Sequence, residues 1–404
     1  MPCGVPSWRT FAALLVQLAL WSQAGVLLRV LVSKLASAGC AGAWGPCVEG
    51  GGLFKDLPAN ALGSFVMGAL ASSSALGLAG GKALVVLPAA HPVQRDLELQ
   101  AGLRTGFCGC LTTFAAWMLE LVTAAVSDGQ WFDLFFGLLV GLEVAICSYA
   151  AGAHLALYVD RWALGEDALA QAVAGRAAEA GEVRGERAEE GAAEVLLGEF
   201  EPDLPRLGPR ASGAEAAALA SAASAKAAAS DGFGARVWGD RAALAVLLAA
   251  TAGLAAGVAL ETERTWLRQG FAGALVAPFG CLLRWALARL NYRGGGRLGW
   301  APGGTLAANA LGAAATFGIQ AALVRRGLVA VPAAGAAGYW ESLLLQAVQQ
   351  GFIGALTTVS TLVAELAKLS AGVPETAHAY LYGATTLAVG VLTGIVFFGW
   401  AVWA

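Results

Sequence analysis

The chain has 404 residues, 58% of them apolar and 13% charged, with a mean hydropathy of +0.66. That composition excludes an ordinary soluble domain, and a net charge of −3 gives a nucleic-acid partner no electrostatic footing. Fifty-four glycines suit membrane helices that pack closely through small residues.

About 20 apolar residues span a bilayer, and nine such runs follow one another. The first, 11–33, comes after Arg9 and is expected to span rather than to be a cleaved leader, because it continues into "GVLLRVLV". Spans two to four fall at 57–77, 102–126 and 131–158. The stretch 160–236 holds 14 acidic and 8 basic residues among Ala and Gly, and reads as an acidic soluble linker. A fifth span at 240–260 is followed by four more, at 270–290, 303–324, 341–368 and 379–403.

Seven cysteines form no CxxC pair or zinc spacing. Cys108 and Cys110 read as small packing residues, while Cys40 and Cys47 share a loop and could pair if that loop is extracellular. The histidines are scattered, and no nucleophile elbow, P-loop or HExxH occurs, so no enzyme is expected.

The chain repeats itself. "GFCGCLTTFAAWMLE" at 106–120 returns as "GFIGALTTVSTLVAE" at 351–365, with seven of fifteen positions identical. "GVLLR" ending at Arg29 matches "GCLLR" ending at Arg284, and "NALGSFVMG" from Asn60 matches "NALGAAATFG" from Asn309. The expected fold is therefore an all-α polytopic membrane protein: two four-helix repeats, 1–159 and 263–404, with the linker at 160–236 and one linking transmembrane helix at 237–262. That single extra crossing would invert the second repeat, which places a functional site near the midplane where the halves meet. Basic residues favour a cytoplasmic N-terminus and an external C-terminus, with Arg325 and Arg326 against it.

"GFxGxLTT" puts two glycines and two threonines in mid-membrane. It is expected to interrupt its helix, because non-helical backbone at that depth survives only inside protein or along a cavity. Asn60 and Asn309 are amides in apolar spans that need partners. Glu120 and Glu365 sit two turns past the threonines, near a vestibule, whereas Glu143 has no counterpart.

These motifs together resemble the Fluc (CrcB) fluoride channels, and the arrangement of four, one and four spans resembles their fused eukaryotic form. The resemblance implies a passive, selective channel that exports fluoride. It implies a structural Na+ held by backbone carbonyls at the breaks, here those of Gly109, Thr112, Gly354 and Thr357. It places Asn60, Asn309, Thr113 and Thr358 on the ion path, with aromatic Phe114 and Trp117 in the first half and hydroxylic Ser360 and Thr361 in the second. Tyr382 and Thr386 match the family's polar track on span four, which the first half lacks. Each copy thus keeps what the other lost, as expected if the two wall a single path. Arg29 and Arg284 either attract anions at the vestibules or anchor helices. Fluoride and the lipid bilayer are the expected partners, in a fused monomer of the plasma membrane. The rival functions are a proton-coupled exporter built on Glu143 and a scaffold that conducts nothing.

Overall fold

The structure is a computed structural model that describes residues 8–37, 53–75, 96–164, 239–293, 299–333, 335–370 and 376–403. The Cys40 and Cys47 loop, His91 and nearly all of the acidic linker lie outside the described residues. Eight helices among the described residues are long and apolar enough to cross a membrane, and a ninth, shorter apolar helix covers Leu57–Ala71.

The first half comprises α1 (Trp8–Ser37), α2 (Leu57–Ala75), a broken third span and α6 (Trp131–Leu164). The broken span consists of α3 (Leu97–Ala101), a π-helical stretch (Gly102–Cys108), the short α4 (Gly109–Leu111) and α5 (Phe114–Asp128). A single helix, α7, runs over Gly239–Leu260 and leaves most of its surface to the surroundings. One polar contact, Gln23 Nε2 to Thr251 Oγ1 at 3.0 Å, ties it to α1.

The second half repeats the order with α8 (Thr265–Ala288), α9 (Gly303–Arg325), another broken span and α13 (Thr376–Gly394). That broken span comprises α10 (Tyr339–Val348), a π-helical stretch (Gln349–Ile353), α11 (Gly354–Leu356) and α12 (Ser360–Leu369). A further π-helical stretch (Ile395–Gly399) and α14 (Trp400–Trp403) close the chain described. The sequence-based ends shift modestly: the third span starts at Leu97, and α6 runs to Leu164, past the expected linker start at 160.

The breaks follow from local chemistry. Thr112 and Thr357 are extended (φ −93°, ψ 149° and φ −92°, ψ 154°), so α4 and α11 end there. Each helix then restarts over a threonine hydroxyl: Thr113 Oγ1, at the N-cap of α5, accepts from the Ala116 N–H, and Thr358 Oγ1, two residues before α12, accepts from the Thr361 N–H, both at 3.4 Å. At the far end of α5, Gly129 takes the left-handed conformation (φ 71°) that a helix stop favours, and α6 begins two residues later.

The halves are interleaved. α1 packs on α8; α5 packs on α9 and α13 of the second half, and α12 packs on α2 and α6 of the first. The apolar cluster around Phe114, Trp117 and Met118 accordingly includes Ala313, Phe317, Val359 and Phe398.

Candidate functional site

At the centre the two breaks face each other, and their backbone groups can be accounted for one by one. In an unbroken helix the Gly109 carbonyl would receive the Thr113 N–H, but that N–H donates to Asn60 Oδ1 at 2.8 Å. Asn60 Nδ2 in turn donates to the Thr113 carbonyl at 3.2 Å, so one side chain serves both backbone groups of the break. Asn309 does the same for Thr358, at 2.9 and 3.1 Å.

The other threonine of each pair caps the opposite half. Thr112 Oγ1 accepts from the Val359 and Ser360 N–H groups at 3.2 and 3.1 Å, while Thr357 Oγ1 accepts from the Ala115 N–H at 3.2 Å. Hydroxyls link across the centre at 3.1–3.2 Å: Thr112 to Thr358 and to Ser360, and Thr113 to Thr357. Thr361 extends the cluster through Thr358 at 3.3 Å. Removing one half would therefore leave the Ala115 N–H of the first half, or the Val359 and Ser360 N–H groups of the second, without these acceptors.

Arg29 and Arg284 lie inside this centre, 3% and 4% exposed. Arg29 Nη1 donates to the carbonyls of Cys110 (2.8 Å) and Gly354 (2.9 Å), and its Nη2 reaches that of Gln350. Arg284 donates to Ala355 (2.9 Å) and Thr105 (2.6 Å). Cys110 matches Ala355 in the repeat, and Thr105 matches Gln350, so the two arginines exchange contacts about a pseudo-twofold axis. A Cβ on Gly109 would collide with the Arg284 guanidinium and one on Gly354 with that of Arg29, so a side chain at either position would push an arginine off its carbonyls.

The carbonyls of Gly109, Thr112, Gly354 and Thr357 share one property. Each has its α-helical N–H donor diverted: Thr113 and Thr358 to the asparagines, Ala116 and Thr361 to the capping threonines. Such carbonyl oxygens are hard donors of the kind that suit a small cation, so the residues present fit one. Gly354 also receives Arg29, and any cation would sit near two guanidinium charges.

Beyond the centre the halves diverge. In the second, Glu365 is buried and receives Tyr382 Oη and Thr305 Oγ1, each at 2.6 Å, and Asn291 Nδ2 at 3.1 Å. Thr386, one turn beyond Tyr382, is 1% exposed and donates to the Tyr382 carbonyl at 2.8 Å. In the first half Glu120 instead meets Lys55, whose Nζ is 2.9 Å away. On the 245-residue offset of the repeated break, Gly137 and Gly141 occupy the places of Tyr382 and Thr386. The same offset pairs Tyr149, which lies against Gly68, with Gly394, which lies against Phe317. The Trp117 indole fills the space: its Nε1 donates to the Gly137 carbonyl at 3.3 Å, and a Cβ on Gly141 would lie 2.5 Å from its ring. Phe54 stacks on Trp117 at 5.6 Å.

Phe114 points elsewhere, toward α13, where a Cβ on Gly390 would lie 2.7 Å from its ring. Of the residues expected on the path, the structure gathers Asn60, Asn309, Thr113, Thr358, Ser360 and Thr361 at the centre. It sets Phe114 against the helix that carries Tyr382 and Thr386, and turns Trp117 into the first half. Glu365 lies in a buried network rather than an open vestibule, and Arg29 and Arg284 are interior. Glu143 is exposed on the outer face of α6. Sequence reasoning missed Thr305 and Asn291. Thr305 was within reach, since it lies one helical turn before Asn309 on the same face.

The CrcB-like protein, Camphor Resistance (CrcB) family model matches residues 16–153 and 271–400, more than half of the chain. Over 144 residues the chain is 39% identical to fluoride export protein 1 of Neurospora crassa, covering 35% of this chain and 24% of that protein. It is 36% identical over 70 residues to fluoride-specific ion channel FluC 2 of Prochlorococcus marinus, covering 17% and 54%. The FluC 2 channel of Parasynechococcus marenigrum is 40% identical over 81 residues, covering 19% and 58%. The matches thus span about a quarter of the fungal relative and somewhat over half of the bacterial ones. No solved structure matches the chain. Two matching segments in one polypeptide, each with its own broken helix, place the chain in the CrcB-like family as a protein carrying the family's unit twice.

Proposed function

We propose that the protein is a passive, selective fluoride channel with one path, running between α5 of the first half and α9, α12 and α13 of the second. The observation that carries this reading is the asymmetry of matched positions. Phe114 lies against α13, whose Tyr382 and Thr386 supply polar groups, while the opposite side has glycines at those places and an indole packed into them. The names of the relatives, fluoride export protein and fluoride-specific ion channel, agree with it.

Fluoride is small and strongly hydrated, so the path must replace the water it strips. Asn309, Thr358, Ser360 and Thr361 offer donors at the centre. Tyr382 and Thr305 hold hydroxyls already oriented on a carboxylate, for which the anion substitutes as acceptor. The positive edge of the Phe114 ring faces an anion without trapping it. Weak contacts in series favour conduction. The helix starts of α5 and α12 add partial positive charge at the midplane.

The Gly109, Thr112, Gly354 and Thr357 carbonyls would hold a sodium ion, which would supply fixed positive charge at the breaks. Arg29 and Arg284 brace the same segments from the side. The nine crossings invert the second half, with the N-terminus cytoplasmic and the C-terminus outside, in a fused monomer of the plasma membrane. An inside-negative potential drives each anion outward by about 2.3 kcal/mol per 100 mV, so no energy-coupling site is required. The exporter alternative needs an enclosed carboxylate, and Glu143 faces outward.

Efflux from liposomes holding the purified protein, with valinomycin and a potassium gradient setting the voltage, tests the reading. Fluoride should leave rapidly without a proton gradient while chloride stays. Efflux that requires a proton gradient, or equal loss of chloride, would overturn it.

A further inference from the structure

Cys110 and Cys281 come from opposite halves, one in the first break and the other on α8, and both are 0% exposed. Both belong to one buried cluster that joins the two halves. Arg284 Nη2 touches both, at 3.5 Å from Cys110 Sγ and 4.0 Å from Cys281 Sγ. Further contacts hold the sulfurs in place, Cys110 Sγ to the Ala355 carbonyl at 3.9 Å and Cys281 Sγ to that of Thr105 at 3.8 Å. The matching pair in the other copy is Ala355 and Val26, so the thiols are an addition that the fold does not need. Two thiols alone make an incomplete metal site, and no group of three metal-binding side chains occurs among the described residues. What remains open to two thiols gathered on one guanidinium nitrogen is oxidation to a disulfide.

We propose that Cys110 and Cys281 are a redox-active pair that closes a disulfide across the two halves, joining the first break to α8. With an aromatic disulfide as oxidant, one cysteine sulfur attacks it and releases one pyridinethione. The second cysteine sulfur then attacks the mixed disulfide and releases another. The S–S bond forms, the oxidant's S–S bond breaks, and the two thiol protons leave on the two pyridinethiones. Because both sulfurs are enclosed, the reaction waits on local opening and is slower than modification of the exposed Cys147. The proposal is independent of what the path conducts.

The test uses the full chain with Cys3, Cys40, Cys47 and Cys147 changed to serine and a protease site inserted between residues 164 and 239. After treatment with 2,2′-dithiodipyridine and cleavage, the halves should migrate together without reductant and separate with dithiothreitol. Two pyridinethiones should be released per chain. Cys110→Ala and Cys281→Val, which copy the residues of the matching positions and so should fold, should each abolish the joined band. Halves that separate after oxidation would overturn the proposal, as would a joined band that survives Cys110→Ala through Cys108.

Discussion

The two copies of the broken span begin alike and end differently. Up to the threonines they share one pattern: an asparagine satisfies both backbone groups of the break, a threonine caps the opposite helix, and an arginine holds the carbonyls. Past the threonines, one copy packs an indole into two glycines while the other builds a carboxylate–tyrosine–threonine network. One chain that carries the unit twice permits the difference, because matched positions can diverge where two copies of one subunit could not. The centre stays symmetric because each half caps the other.

Breaking the shared centre should have the largest effect. Arg29→Met or Arg284→Met strips buried carbonyls of charged donors worth about 1.5–3 kcal/mol each. Neither variant should yield monodisperse protein in detergent by size-exclusion chromatography.

The divergent region gives the next effect. Trp117→Ala empties the space over Gly137 and Gly141 and should cost about 3–5 kcal/mol. Thermal unfolding in detergent would report it as a lowered Tm. Gly141→Thr forces a side chain against the Trp117 ring and should cost about 1–3 kcal/mol. Adding Trp117→Leu and Gly137→Tyr copies the second half's set and should recover most of that loss. A mutant cycle on Tm would detect the coupling, and simple additivity would break the idea that the two sets are alternative fillings of one space.

The smallest effect belongs to Lys55→Ala. Its ammonium is half exposed beside Glu120, so the pair should contribute less than about 1 kcal/mol and less still in high salt.

Much of this was legible in the sequence. The nine apolar runs gave the helices to within a few residues, and the doubled "GFxGxLTT" located both breaks because glycine and threonine pairs weaken a helix at a recognisable spacing. The asparagines were visible as amides that needed partners. Direction was not legible. Phe114 and Trp117 stand three residues apart on α5 and looked equivalent, yet one faces α13 and the other α6. The glycines that admit the indole stand out only when α6 is laid over α13. The arginines' carbonyl partners were hidden for a related reason, since each reaches backbone of the opposite half, a contact that leaves no side-chain signature.

The central claim is that ions cross on the side lined by Tyr382 and Thr386. Voltage-driven fluoride efflux from liposomes tests it most directly, comparing Tyr382→Phe with Thr386→Ala on one side and Trp117→Phe with Phe54→Leu on the other. The account predicts that each second-side change slows efflux about tenfold or more, equivalent to about 1.4 kcal/mol, while the first-side changes leave the rate per folded protein within about twofold. Equal losses on both sides would mean two working paths, and loss confined to the Trp117 side would contradict the account.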